Sequence, residues 1–430
     1  MKVAVYTLGC KVNTYESEFV LSLFKEKGYK VVSYKEEADI YIINTCTVTN
    51  QSDVKSRKII RQLIRHKNQG IVVVMGCYAQ LNKEEVEKIK GVDIIIGTKN
   101  RNKIVDYVEK FLKTKKVINA VDDLVSKKFE DMKISNFINQ TRAFVKIQDG
   151  CSNYCSYCII PYARGPLHSK KKEVVIKEVK DLVLKGFKEI VLTGINIGKY
   201  GIDLKDLTLT KLLQELVKIP KLKRLRISSI EITEITEEFL LLLEETKIIV
   251  DHFHIPLQSG SNRILKAMNR KYDVNYYYNK ITEIRRIRPH VAITTDVIVG
   301  FPGETKEDFK ETEQFIRKVN FASLHVFPYS KRKGTKASLM LNQVSPSIKK
   351  ERALILRSLS KELEYNYRKG FLHQELEVLF EQEKDGYLIG HAANYILIKV
   401  KSSKSEIGNL KKIILNKIDD PYCLGFFLDL

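Results

Sequence analysis

The sequence predicts an α/β protein in three parts: an N-terminal open parallel α/β sheet, a central partial (β/α)6 barrel, and a small C-terminal antiparallel β-barrel. Three observations carry this. Short apolar runs alternate with helix-length stretches from the start to about residue 113. The same alternation resumes at Ala143, and from Gln374 it gives way to short strands and turns. Continuous apolar runs between helices belong to buried parallel strands. Six strand–helix units are too few for a closed eightfold barrel and fit an open sixfold one. The final pattern suits a small barrel.

In the first part, the runs Val3–Tyr6, Ile40–Ile43, Ile71–Met75 and Asp93–Ile96 read as strands. Helices are expected near Thr14–Lys27, Ser52–His66 (with Ser52 as N-cap) and Lys83–Lys90, and a further one after Asp93–Ile96 running to about Lys113. Positions 114–140 are polar and weakly periodic and read as a linker. In the second part, strands are expected at Ala143–Gln148, Glu189–Thr193, Arg224–Ser228, His252–Ile255, Ala292–Val299 and Ser323–Phe327, with helices between them and a last helix at Ser347–Arg368. The tail offers Glu377–Glu381, Tyr387–Ile389, Tyr395–Lys401 and Lys411–Asn416. The expected division is therefore 1–113, linker 114–140, 141–369 and 370–430.

Charge narrows the partners. The 430 residues carry 74 Lys and Arg against 52 Asp and Glu, a net of +22. A protein this basic suits a polyanion, although a Lys-rich composition alone can produce the excess. Positions 370–430 hold seven Lys and no Arg against nine acids, a net of −2, so positions 1–369 carry +24. The tail is not the electrostatic anchor. The longest apolar runs, such as Phe239–Leu243, are far short of the roughly 18 residues a membrane helix needs. No secretory signal is expected at the start, and a cytoplasmic protein is the default.

Seven cysteines are the next signal. In a cytoplasmic protein, clustered cysteines point to metal or redox chemistry rather than disulfides. Cys151, Cys155 and Cys158 form a C-x3-C-x2-C loop after the first strand of the second part. Three thiolates on a short loop suit a 4Fe–4S cluster with one iron left open for a substrate or cofactor. A structural zinc site wants four closed ligands, and only His168 lies near enough to supply one. Cys10, Cys46 and Cys77 each follow a predicted strand of the first part, at the sheet edge where open α/β folds bind ligands. Their alternative is three small buried hydrophobes. Cys423 is left as a structural residue of the tail.

The C-x3-C-x-Tyr-C loop, Cys151–Cys158, resembles the signature of radical S-adenosylmethionine (SAM) enzymes. TLGCKVNTYES (Thr7–Ser17), NTCTVTNQSDVKSR (Asn44–Arg57) and GCYAQ (Gly76–Gln80) resemble the N-terminal domain of methylthiotransferases. GCSNYCSYCIIPYARG (Gly150–Gly165), HIPLQSGS (His254–Ser261) and DVIVGFPGET (Asp296–Thr305) resemble their radical domain, and GYLIGHAANY (Gly386–Tyr395) their small RNA-binding TRAM domain. The resemblance implies two 4Fe–4S clusters, one on Cys151, Cys155 and Cys158 and a second, sulfur-docking one on Cys10, Cys46 and Cys77. It implies that SAM serves both as methyl donor and as source of a 5′-deoxyadenosyl radical. It implies cofactor contacts at Tyr157, Thr193, Gly194, Ser229, Glu231, Gln258 and Asp296. Many relatives carry Arg-Ser-Arg after the ARG triplet. Here His168-Ser169-Lys170 stands instead, and a lysine does not reproduce a bidentate guanidinium contact.

Three branches of that family compete: one acting on isopentenylated adenosine in tRNA, one on an aspartate of a ribosomal protein, and one on N6-threonylcarbamoyladenosine in tRNA. GCKVNTYES, TVTNQSDVKSR and GCYAQ resemble the third. Its target adenosine lies 3′ of the anticodon, in a single-stranded loop that can be splayed into a pocket. The expected partners are a tRNA anticodon stem-loop, SAM, an external electron donor and a sulfur source, with no membrane. Lys11 is a candidate partner for the threonylcarbamoyl carboxylate, or else a solvated lysine. Tyr395 is a candidate base-stacking residue, or else a core residue of the small barrel. A non-catalytic iron–sulfur RNA-binding protein is the alternative from another class.

Overall fold

The computed structural model describes residues 1–67, 70–124, 129–134, 141–402 and 405–428. Two compact units emerge. The first comprises Met1–Ile138, Lys146–Lys170 and Ser330–Ser338; the second comprises Asn139–Val145, Lys171–Tyr329 and Leu339–Leu430.

The first unit is built on a parallel sheet of six strands: β1 (Lys2–Thr7), β2 (Lys30–Val31), β3 (Ile40–Thr45), β4 (Ile71–Gly76), β5 (Ile94–Ile96) and β6 (Ile118–Ala120), in the order β2-β1-β3-β4-β5-β6. Every residue of β3 and β4 is buried. Alternate side chains feed two cores. Ile40, Ile42, Val73 and Ile94 pack with Val20 and Phe24 of α1 (Lys11–Glu26). Tyr41, Ile43, Val72, Val74 and Ile95 pack with Ile60 and Leu63 of α2 (Asn50–His66). Full burial of a side chain such as Phe24 stabilises by about 2–3 kcal/mol.

Three expectations are corrected here. The sheet has six strands rather than four, because β2 and β6 extend its edges. Strand β6 lies inside the expected linker 114–140, of which positions 125–128 and 135–140 fall outside the described residues. The N-cap of α2 is Thr49, whose hydroxyl accepts from Ser52 N at 3.1 Å; Ser52 is inside the helix.

The second unit carries six barrel strands in chain order. Arg142–Lys146, Glu189–Thr193 and Arg224–Ile227 form one three-stranded sheet, and His252–His254, Ala292–Val299 and Ser323–Pro328 form another. A parallel bridge, Leu225 to Ile249, leads from one to the other. Helices connect successive strands, and the long helix Pro346–Lys369 follows. The tail closes into a five-stranded barrel of Glu375–Lys384, Tyr387–Ala392, Leu397–Lys401, Tyr422–Phe427 and Leu410–Asp419. It is not wholly antiparallel: Leu397–Lys401 and Tyr422–Phe427 pair in parallel, which is what closes it. Cys423 is in its core with Val378, Phe380 and Ile398. A Cβ on Gly390 would sit 2.0 Å from the Leu379 carbonyl oxygen, so only glycine lets these strands approach.

Tyr395 precedes the strand it was expected to start, at φ +68° in the turn. Its ring is stacked on His252 at 4.7 Å and on His391 at 4.5 Å, with the Arg226 and Arg142 guanidiniums 4.8 and 5.6 Å from its centroid. Four side chains of the fold pack on this half-buried ring, which supports the core role among the two expected for it. Tyr395→Ala is expected to lower unfolding free energy by about 2–3 kcal/mol through lost stacking and cation–π contacts. Urea denaturation tests this; an unchanged midpoint with weakened RNA binding would restore the base-stacking role.

Candidate functional site

The first unit places Cys10, Cys46 and Cys77 at the C-terminal ends of β1, β3 and β4, which are neighbours in the sheet. Cys10 is the N-cap of α1 and Cys77 opens the short helix α3 (Cys77–Leu81). Two glycines permit the approach. Gly9 has φ +100°, and a Cβ there would lie 2.8 Å from Cys46 Cβ; Gly76 has φ +98°, and a Cβ there would strike Asn44 Oδ1 at 2.5 Å. Asn13 ties the strand ends together: its Nδ2 donates to the carbonyls of Leu8 (2.7 Å) and Thr45 (3.1 Å). Thr45 Oγ1 in turn donates to Met75 O at 2.6 Å.

Cys46 and Cys77 are buried, whereas Cys10 is exposed, so the site opens on one side. Burial pushes the Cys77 thiol up to about 12, with Cys10 and Cys46 opposing its ionisation and Arg164 favouring it. Burial also raises Cys46. Three thiols are thus close enough to feel one another's charge, beside a buried guanidinium.

The same unit holds the loop Cys151–Cys158. Residues Gln148–Asp149 pair antiparallel with His168–Ser169, making a narrow base for the loop. Cys151 N donates to Gly165 O at 3.1 Å, and Cys158 N to Cys155 O at 3.0 Å. Gly150 turns at φ +73°, where a Cβ would lie 1.9 Å from Pro166 O. The three thiols are half-buried. Tyr157 is half-buried beside them in sequence, and the exposed rings of Tyr154 and Tyr162 meet edge to face at 6.2 Å. Lys170 departs from the arginine of many relatives. It is buried, with Nζ donating to Met132 O at 3.3 Å, so its charge is used within the unit's interior.

Within the second unit, Thr193 is buried at the end of its strand, and Gly194 follows it. Ser229 and Glu231 follow the adjacent strand Arg224–Ile227. Glu231 is paired with Arg270, which also lies over the Tyr272 ring at 5.1 Å. Gln258, at φ +68°, bridges the neighbouring strand: its N donates to Asp296 O at 2.8 Å, and its O accepts from Ile298 N at 2.9 Å. Asp296 Oδ1 lies 3.3 Å from His254 Nε2 and 3.4 Å from His325 Nδ1. Burial opposes ionisation of Asp296, but those imidazoles outweigh it and hold the carboxyl well below its usual range. Parallel register makes this triad, pairing His254 with Thr294 and Asp296 with His325.

His325, Arg270 and Arg332 escaped the sequence reading, and His254 entered it only as the start of the HIPLQSGS motif. Arg332 donates to Asp53 and Asn50, both at 2.6 Å, and to Thr47 at 2.7 Å. Thr47, Asn50 and Asp53 of the run after Cys46 therefore clamp the segment Ser330–Ser338. Lys11 begins α1 beside Cys10 and is half-buried.

Residues 145–316 match the Radical SAM superfamily, and residues 2–97 match the family described as "Uncharacterized protein family UPF0004". With the open six-stranded barrel, this defines a radical SAM protein. The chain is 45% identical, over 99% of its length and 96% of the relative's, to threonylcarbamoyladenosine tRNA methylthiotransferase MtaB of Bacillus subtilis. It is 40% identical, over 96% of its length and all of the relative's, to the protein of that name from Aquifex aeolicus. A tRNA-2-methylthio-N(6)-dimethylallyladenosine synthase of Lachnoclostridium phytofermentans is 36% identical over 99% of this chain and 95% of its own. The chain belongs to the radical SAM methylthiotransferase family. Among solved structures, the radical SAM methyltransferase TsrM of Kitasatospora setae shares the fold, with a TM-score of 0.56 at 13% identity, covering 79% of this chain and 74% of that one. Among the described residues, no helix is long and apolar enough to cross a membrane.

Proposed function

We propose that this protein is a tRNA methylthiotransferase that inserts a methylthio group at carbon 2 of N6-threonylcarbamoyladenosine, 3′ of the anticodon. The observation that carries the reading is the pair of three-thiol sets, Cys10, Cys46 and Cys77 at three neighbouring strand ends and Cys151, Cys155 and Cys158 on one loop. Cys10, Cys46 and Cys77 fit a thiolate-bound cluster: three strand ends converge, two thiols are buried, one side is open, and the buried cation Arg164 faces Cys77. Cys151, Cys155 and Cys158 fit a second, on a loop whose backbone is fixed by its own hydrogen bonds. These are the residues that would hold two 4Fe–4S clusters. With SAM, the clusters supply a carbon-centred radical and the sulfur to be transferred.

The chain's own residues bind, orient and exclude. Thr193, Gly194, Ser229, Glu231, Gln258 and Asp296 of the second unit are assigned to SAM. Glu231 and Asp296 are carboxylates held in fixed orientations by Arg270 and by two histidines, so little ordering remains to be done when a ligand accepts or donates there. Residues 1–113 form the sulfur-docking domain, 141–369 the radical domain and 370–430 the TRAM-like domain. The net −2 of the tail leaves most phosphate contacts to residues 1–369. An anticodon stem-loop is the substrate element, with an external reductant and sulfur source, in the cytoplasm.

Threonylcarbamoyl adds a carboxylate and a hydroxyl to the adenine N6, whereas isopentenyl adds only apolar carbon. A site built for the former rejects the latter, since its buried polar groups are left unpaired. Reconstituted protein offered both stem-loops is expected to give methylthio product on the threonylcarbamoylated one, at least about 100-fold faster. Comparable rates on the isopentenylated loop would overturn the branch and leave the reaction class standing. Product only on a ribosomal protein would overturn the tRNA assignment.

A further inference from the structure

A network of buried charges lies under the thiol sites of the first unit. Glu16, on α1, is fully buried and contacts Arg101 (3.0 Å), Lys146 (2.8 Å) and Arg164 (2.8 Å). Asp149 contacts Lys146 (2.6 Å) and Arg164 (3.1 Å), and Glu130 contacts Arg101 (2.6 Å). Burial opposes the charge on Glu16, but its three cations outweigh it and bring it to about 2. Asp149 is likewise held low against burial by Lys146 and Arg164. Lys99 is buried within reach of Asp149 and Glu130. Among the described residues, the carboxylates paired with Arg101, Arg164, Lys146 and Lys99 in this network are Glu16, Asp149 and Glu130. An excess buried cation is costly unless an anion sits nearby.

Arg164 is the member bonded to residues beside both thiol sites, Asn13 near Cys10 and Asp149 before Cys151. It is 1% exposed. Nη2 donates to Asn13 Oδ1 at 2.8 Å and to Glu16 Oε2 at 3.2 Å, and Nη1 to Glu16 Oε1 and Asp149 Oδ1. Asn13 holds the strand ends at Cys10 and Cys46. Asp149 Oδ1 also accepts from Gly150 N at 2.9 Å, immediately before Cys151, and Gly165, next to Arg164, accepts from Cys151 N. Its Nε is buried with no hydrogen-bond partner among the described residues, and Cys77 is its strongest charge partner. An orphaned buried N–H beside a thiol is expensive unless a sulfur acceptor completes it.

We propose that Arg164 is a positioning residue of the Cys10–Cys46–Cys77 site, its Nε–H and charge directed at the Cys77 thiolate sulfur, and that through Asp149 it joins that site electrostatically to the Cys151–Cys158 loop. This rests on the cluster reading given above. A buried cation and an N–H donor both stabilise the more anionic, reduced form of an iron–sulfur cluster and raise its potential.

The test uses the full chain with Cys151, Cys155 and Cys158 replaced by Ala, so that only the N-terminal cluster is present. Arg164→Gln in that background is expected to shift the one-electron reduction equilibrium at least tenfold toward the oxidised form, about 59 mV to more negative potential. An EPR-monitored titration measures it. Arg164→Lys keeps the charge in the network, and with it the fold, but loses the Nε–H; a shift of about threefold in the same direction is expected. Full iron content with an unchanged equilibrium in both variants overturns the role of Arg164. A parent that binds no iron overturns the cluster reading instead, and iron content separates the two failures.

Discussion

Replacing Cys151, Cys155 and Cys158 together by Ala is expected to abolish reductive cleavage of SAM and to leave the chain with about half its iron. The loop keeps main-chain hydrogen bonds when its thiols are removed. Its anchors are main-chain hydrogen bonds from Cys151 N to Gly165 O and from Cys158 N to Cys155 O, and from Ala337 N to Ser156 O. The three side chains are only half-buried, so truncation leaves no sealed cavity. What is removed is the ligand set: three thiolates are what would hold a cluster with one open iron. The other three thiols stand on β1, β3 and β4 and keep their own four irons, out of about eight in the parent. Iron analysis after anaerobic reconstitution, with chromatography of 5′-deoxyadenosine, reads both effects. Retained cleavage would remove these cysteines from the radical chemistry. Complete loss of iron, or zinc in the sites, would break the two-cluster model.

How much of this was legible in the sequence depended on how local each feature is. Strands β1, β3 and β4 announce themselves as apolar runs, because a strand buried on both faces has no polar face to interrupt it. Strands β2 and β6 do not. Lys30–Val31 and Ile118–Ala120 are two and three residues long, and their pairing is decided by the exposed edges of β1 and β5 rather than by their own composition. The cysteine loop is legible because its spacing lies within eight residues. Arg101, Lys146 and Arg164 are not, since an isolated arginine or lysine in a basic sequence reads as surface charge until the fold places carboxylates around it. The pairing of Asp296 with His254 and His325 likewise needs the register of three parallel strands. The parallel pair that closes the tail barrel joins strands separated by a further strand, which no local turn signal encodes.

Replacing Cys10, Cys46 and Cys77 together by Ala is expected to have the opposite signature: SAM cleavage remains measurable, and methylthio product disappears. The reason is the separation of the two ligand sets along the chain. Cys151–Cys158 keeps its backbone anchors and its three thiols, so the radical-forming machinery retains its ligands. The strand ends lose theirs. Their geometry is held mainly by Asn13, Thr45, Gly9 and Gly76, the sulfur contact being a long one from Cys10 Sγ to Asn13 Oδ1 at 3.8 Å, so the sheet edge survives. Cys46 and Cys77 pack as small buried side chains, and shortening each to Ala costs about 1 kcal/mol. A chain with an intact radical site and no sulfur-docking thiols should therefore consume SAM without forming a carbon–sulfur bond. Mass spectrometry of digested stem-loop RNA, run beside the 5′-deoxyadenosine assay on the same samples, separates these outcomes. Methylthiolated nucleoside from the variant would remove Cys10, Cys46 and Cys77 from sulfur transfer. Loss of cleavage as well would mean that the two thiol sites act as one. The buried Arg164–Asp149 link is the route by which damage at one would reach the other.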